Sequence, residues 1–154
     1  MIRYFIFASI IVFIITGCSN AFVEEKFSFE NEMWLTGDQK SIEITAPDTL
    51  QVYQLELSIS HADNYGFQNL YVRTNTTFPS GKIVTSVTSL ELANADATWA
   101  GDCSGDVCKV TLPLQSRFTF PEAGKYTWKI EPFMRTDTVQ GIESIEVIFR
   151  EVKS

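Results

Sequence analysis

A single histidine, three cysteines and no G-x-S-x-G stretch leave little material for nucleophilic or metal chemistry in this chain of 154 residues. A zinc site built on Cys103 and Cys108 lacks further soft ligands, because His61 alone cannot complete it. Basic residues are scarce as well: 12 Lys and Arg stand against 19 Asp and Glu, for a net charge of −7. That balance argues against nucleic acid as a partner and against direct adhesion to an anionic membrane surface. Past Cys18 no apolar run approaches the ~20 residues that a spanning helix needs. No stretch there sustains a helical period, and neither an internal repeat nor a low-complexity segment is present.

What is there begins at the N-terminus. Met1-Ile2-Arg3 is a short positive region and Tyr4 to Ile15 an apolar one, followed by Ile15-Thr16-Gly17-Cys18. A branched apolar residue, two small ones and then cysteine is the form of a bacterial lipobox. The small side chains admit the signal peptidase, and the thiol receives the lipid. The expected organisation is a leader over 1–17, a lipidated Cys18 with a tether to residue 23, and one domain over 24–154. Arg3 leaves with the leader, so the mature chain is one unit more negative than the whole. Contact with the membrane then comes from the lipid on Cys18, at ~0.8 kcal/mol per buried CH₂, and stable anchoring takes more than one acyl chain. Ser19 rather than Asp after the cysteine favours release to the outer membrane of a diderm envelope. The uncharged stretch to Val23 favours the periplasmic leaflet.

Cys103 and Cys108 are spaced C-S-G-D-V-C in a chain bound for an oxidising compartment, so a disulfide between them is expected. A redox pair would want the two-residue spacing and the helix N-terminus that lower a thiol pKa.

From Glu24 onward the period is two. Ile42 and Ile44 alternate with polar neighbours, as do Tyr53, Leu55, Leu57 and Ile59, then Tyr126, Trp128 and Ile130, and finally Ile145, Val147 and Phe149. Such alternation marks half-buried antiparallel strands. Asn69 to Thr74 reads as a further strand, Phe78-Pro79-Ser80-Gly81 as a turn, and Ile83 to Leu92 as a less regular strand with a bulge. Pro113, within Val110 to Leu114, removes a ladder donor and marks a sheet edge. Gly124 two residues before Tyr126 resembles the tyrosine corner of immunoglobulin-like domains. About eight short strands predict an all-β fold, an antiparallel β-sandwich of Ig-like or jelly-roll type, behind an N-terminal signal helix.

Few constellations suggest chemistry. His61 would need a nucleophile brought to it by the fold, and a polar cap on the end of the Tyr53–Ile59 strand is the simpler reading. Asp102 to Asp106 offers oxygen ligands but lacks the run and the closing Glu of a calcium loop. No metal and no cofactor are expected. Trp34, Trp99, Trp128, Tyr65 and Tyr71 could form a sugar-binding face, with Trp128 expected in the core and Trp99 the best candidate for an exposed contact. Arg135, after Phe133 and Met134, reads as a structural ion pair or a contact.

The order of short motifs resembles the gliding-motility lipoprotein family called GldH. It runs from Ser60-His61 through Tyr65-Gly66-Phe67-Gln68-Asn69-Leu70-Tyr71-Val72 and Phe78-Pro79-Ser80-Gly81 to Leu90-Glu91-Leu92-Ala93-Asn94. Trp99-Ala100-Gly101, Gly105-Asp106, Gly124-Lys125-Tyr126, Ile130-Glu131, Met134-Arg135 and Gly141-Ile142 complete it. Two departures stand out: Glu131-Pro132-Phe133 where the family pattern tends to place Gln ahead of x-Met-Arg, and the Cys103 and Cys108 pair. The resemblance implies a non-enzymatic envelope lipoprotein needed for gliding, whose partners are other motility or secretion envelope proteins. It supplies no catalytic residues. The expected contact surface is the loop Ala95 to Asp106, with Trp99, Asp102 and Asp106, together with Arg135. The alternatives are a carbohydrate-binding envelope lipoprotein and a periplasmic hydrolase.

Overall fold

The computed structural model describes residues 21–153, so the leader, its signal helix, the lipobox and Cys18 lie outside the described residues. Within them the chain is all-β and antiparallel. Eleven strands run in order: β1 Ala21–Ser28, β2 Met33–Leu35, β3 Lys40–Ala46, β4 Tyr53–Ala62, β5 Asn69–Thr77, β6 Ile83–Glu91, β7 Asp102–Ser104, β8 Val107–Phe118, β9 Gly124–Pro132, β10 Thr138–Gln140 and β11 Ile142–Glu151. They form a five-stranded sheet ordered β1-β11-β4-β8-β7, a four-stranded sheet ordered β3-β9-β5-β6, and a β10-β2 pair. No helix among the described residues is long and apolar enough to cross a membrane.

The two larger sheets pack face to face because each strand puts alternate residues inward. Tyr53, Leu57 and Ile59 of β4 and Tyr126 and Ile130 of β9 are all buried. Trp128 of β9 meets Phe149 of β11 edge-on, with centroids 6.0 Å apart, which ties the sheets together. The corner at Gly124 forms as the sequence indicates: the Tyr126 hydroxyl donates to the Glu122 carbonyl at 2.8 Å and accepts the Glu122 N–H at 3.1 Å. Burying a phenol is tolerable only with its hydroxyl satisfied, and this turn satisfies it locally.

Three expectations change. β1 opens at Ala21, inside the stretch read as a tether, because β11 supplies a ladder partner from Arg150 down to Ser144. β6 has no bulge: its register with β5 is unbroken from Asn69–Glu91 to Thr77–Ile83. Irregularities lie elsewhere: β8 shifts register against β4 on both sides of Gln115, next to Pro113, and single shifts fall near Ala21 in β1 and near Ile142 in β11. Pro113 faces the free side of β8, since β7 covers that strand only from Val107 to Lys109. The last part of the expected Ala95 to Asp106 loop is not loop but the start of the tight β7–β8 hairpin, closed by a Cys103–Cys108 disulfide.

Pairing also orients the molecule. Ala21 lies opposite Arg150, and Arg150 opposite Gln54, so the chain enters the sandwich at the end where β4 begins. His61 pairs with Ile142 and Cys108 at the other end. The loops that follow β4, β6 and β9 therefore gather at the end remote from Ala21.

Candidate functional site

At this remote end the aromatic residues interlock. His61, at the close of β4, is wholly buried, and its Nδ1 lies 2.9 Å from the Ala62 carbonyl oxygen. Its ring meets Trp99 edge-on at 4.6 Å and Tyr65 at 5.7 Å. Among the described residues Nε2 has no hydrogen-bond partner. Among the described residues no hydroxyl, thiol or carboxylate side chain is hydrogen-bonded to the imidazole, the contact that would activate a nucleophile. The ring serves as packing at the strand end.

Trp99 is half-buried rather than free. Its Nε1 donates to the Asp63 carbonyl at 2.8 Å, and the Asp63 N–H donates to the Asp106 carbonyl, also at 2.8 Å. The indole thus ties the loop after β4 to the β7–β8 hairpin. Gly101 makes this closeness possible: it sits at φ +79°, and a Cβ there would strike the Lys109 carbonyl oxygen and come within 2.9 Å of Val110 Cα. Asp102 and Asp106 are exposed around this strut. No group of three or more potential metal ligands occurs among the described residues.

Trp34 and Trp128 are buried, and so is Tyr65, whose hydroxyl donates to the Asn69 carbonyl at 3.2 Å. Burial pushes that hydroxyl up to about 12. Of the five aromatics considered for a sugar platform, Tyr71 alone is exposed and Trp99 half-exposed, so these five do not form a row of stacking rings.

Beyond Tyr65 the array reaches the surface. Phe67 packs edge-on against Tyr65 at 5.7 Å and lines a groove of about 620 Å³ with Tyr71, Val87, Phe133, Met134 and Arg135. Phe67, Tyr71, Val87 and Phe133 each expose 42–46% of their surface. The groove is held firmly. The Phe133 N–H donates to the Tyr71 carbonyl at 2.7 Å, and the Arg73 guanidinium stacks 3.9 Å from the Phe133 ring. Arg73 also reaches Glu131 at 3.4 Å, and Gln39 donates to the same carboxylate at 3.2 Å. Glu131 is therefore buried and partnered. Arg135 is exposed and forms no ion pair among the described residues, so the structural-pair reading does not hold for it. Aromatics, Met and Arg are the side chains enriched in protein interfaces.

Of the expected contact residues, Trp99, Asp102 and Asp106 share the tip, and Arg135 joins them through Tyr65 and Phe67. Sequence reasoning passed over Phe67, Val87 and Phe133. The signal it held was the Phe133-Met134-Arg135 run following a strand.

A model of the GldH lipoprotein family matches residues 21–147. The chain belongs to the GldH lipoprotein family. This GldH chain is 28% identical over 146 residues to the gliding motility lipoprotein GldH homolog of Christiangramia forsetii, covering 91% of this chain and 90% of that one. It is 24% identical over 142 residues to gliding motility lipoprotein GldH of Flavobacterium johnsoniae, covering 92% and 86% respectively. Among solved structures it is similar to insecticidal delta-endotoxin Cry8Ea1 of Bacillus thuringiensis. That match has a TM-score of 0.42 and 16% identity, over 83% of this chain and 19% of that one. It is too distant to bear on fold or function.

Proposed function

We propose that this GldH chain is a membrane-anchored envelope lipoprotein, lipidated at Cys18 after removal of residues 1–17, that serves gliding motility through protein contacts and turns over no substrate. The observation that carries this reading is the exposed groove of Phe67, Tyr71, Val87, Phe133, Met134 and Arg135 at the end of the sandwich remote from Ala21. An apolar groove rimmed by an unpaired Arg suits a protein partner better than a reaction. Cys18 stands three residues ahead of Ala21 in the sequence, which supports an anchor at the Ala21 end with the groove and the Trp99 tip turned away from the membrane. Asp102 and Asp106 add an acidic rim there, over the strut formed by Trp99. The partners are other motility or secretion proteins of the envelope, and the outer membrane, periplasmic side, is the site the Ser19–Val23 stretch favours.

Two experiments test it. Arg135→Glu and Phe67→Ser alter exposed side chains and are expected to stop gliding while abundance and thermal midpoint stay at wild-type values. Normal gliding in both variants would remove the groove from the mechanism. Cys18→Ala is expected to abolish incorporation of labelled fatty acid, and label retained at wild-type levels would refute lipidation at that residue.

A further inference from the structure

Sheet edges expose unpaired N–H and C=O groups, and native proteins guard them with charge, proline, bulges or cover. Three edges of this sandwich are guarded. β1 carries Glu24, Glu25 and Lys26 at its centre and a register shift near Ala21. β3 carries Lys40 and Glu43 and packs beside β1. The β8 edge carries Pro113 and two register shifts, with the disulfide hairpin over its first residues.

β6 has none of these before Glu91, its last residue. Its sequence from Ile83 to Leu90 contains no charge and no proline, its register with β5 is unbroken, and it pairs with nothing else among the described residues. The free ladder groups can be assigned. The Phe78 N–H donates to the Lys82 carbonyl at 2.8 Å, and the Leu92 N–H to the Gln68 carbonyl at 2.9 Å. Hydrogen-bonded pairs alternate along an antiparallel ladder, so even-numbered residues of β6 bond to β5. Ile83, Thr85, Val87 and Ser89 therefore turn their N–H and C=O groups outward.

The space beside this edge is also open. On its inner face β6 presents Val84, Ser86 and Thr88 to a groove of about 450 Å³ between the sheets. Leu114 and Phe118 of β8 form the far wall, and Trp128 and Phe149 lie among its lining. On the opposite edge of the sandwich β1 and β3 pack against each other, so the opening is on the β6–β8 side alone.

We infer that β6 is a docking edge for an extended segment of a different envelope protein, which adds a strand beside it and sends alternate side chains into the β6–β8 groove. Main-chain bonds to Ile83, Thr85, Val87 and Ser89 give the attachment, and the side chains that enter the groove give selectivity. The chemistry of the segment follows from what it must meet. It is uncharged where it faces Ile83 to Leu90 and apolar at every second residue. At its ends a carboxylate complements Lys82, which makes no ion pair among the described residues, and a cation complements Glu91. A second copy of this chain fits less well. Two copies sharing this edge would run antiparallel about a two-fold axis, setting the Ala21 end of one beside the remote end of the other. Cys18 lies only ~10 Å of extended chain ahead of Ala21, too short a leash for both copies to stand upright on one membrane.

The inference rests on the reading of the chain as a protein-contact lipoprotein. A deletion strain that glides normally would remove that reading and leave the following result standing. A benzophenone side chain is introduced at Thr85, or at Ser89, in the full-length chain in its own cells, with Glu43 on the guarded β3 edge as control. Illumination is expected to join both β6 positions to one other protein, at attachment points four residues apart in its sequence, and to give no such adduct from Glu43. Thr85→Pro removes an outward N–H that β5 does not use, a change that edge strands tolerate. It is expected to reduce the Ser89 adduct at least tenfold at unchanged abundance. Should abundance fall, Thr85→Lys, an exposed position outside both grooves, takes its place with the same expectation. An adduct with a second copy, attachment points without the four-residue step, absence of an adduct, or an adduct that survives these substitutions would overturn the inference.

Discussion

Replacing Trp99 with alanine separates a structural strut from a bare contact residue. A wholly buried large aromatic costs ~3–5 kcal/mol on truncation. For a half-buried indole the packing loss scales to roughly 2 kcal/mol. The Nε1 bond to the Asp63 carbonyl contributes ~1 kcal/mol, and the edge contact with His61 ~0.5–1 kcal/mol. Together these give about 3–4 kcal/mol, a large share of the ~5–15 kcal/mol that holds a domain folded. For a domain of this size the thermal midpoint is expected to fall by roughly 10–15 °C. The measurement is thermal unfolding of the purified protein followed by circular dichroism. Trp99→Phe keeps a ring against His61 but loses the N–H, and is expected to lie between alanine and wild type. A midpoint within 3 °C of wild type for Trp99→Ala would refute the strut, since a side chain carrying these contacts cannot be removed so cheaply.

Three further outcomes follow from the same end of the molecule and its hairpin. Intact-mass analysis of denatured, unreduced protein in the presence of an alkylating reagent is expected to find no free thiol at Cys103 or Cys108, and replacing both with serine is expected to cost roughly 2 kcal/mol in chemical denaturation. Gly101→Ala is expected to cost more than ~2 kcal/mol because backbone atoms of Lys109 and Val110 occupy the space and φ is positive; an unchanged denaturation midpoint would show that the hairpin can move aside. The Tyr65 phenol titrates near 10 when unfolded and about 12 when folded, so its contribution is constant through neutral pH and is lost as pH rises from 10 through 12. Tyr65→Phe is expected to flatten the decline in that window, and an identical slope in both proteins would assign it to other groups.

The strands that could be read in advance are those whose two faces meet different surroundings. β3, β4, β9 and β11 alternate because one side packs on the opposing sheet. β6 hid its regularity because much of it is exposed on both faces, and alternation reports burial, not pairing. β2 and β10 are three residues each and exist only because Met33–Leu35 meets Thr138–Gln140 across the fold. The Tyr126 corner was legible because its signal is local, Gly124 and Tyr126 standing two residues apart. The groove was not, because Phe67, Tyr71, Val87 and Phe133 come from separate segments and become neighbours only through the registers of β5 with β6 and β9. Trp99 seemed free for the same reason: its cover, His61 and Tyr65, lies more than thirty residues away in the chain.

β11 lies between β1 and β4 in the five-stranded sheet, and this has a consequence for how the molecule comes to exist. The first strand of the domain has no partner until the last has been made, and the Ala21–Arg150 pair closes a loop spanning nearly the whole domain. Contacts of such high sequence separation form slowly, because the chain entropy is lost before the contacts that offset it are gained. A nascent chain interrupted before Ile142 would leave one side of β4 bare and β1 unpaired, with the apolar faces of both sheets open to proteolysis. A chain that lacks Ile142–Glu151 therefore cannot complete the five-stranded sheet, and β1 then has no ladder partner.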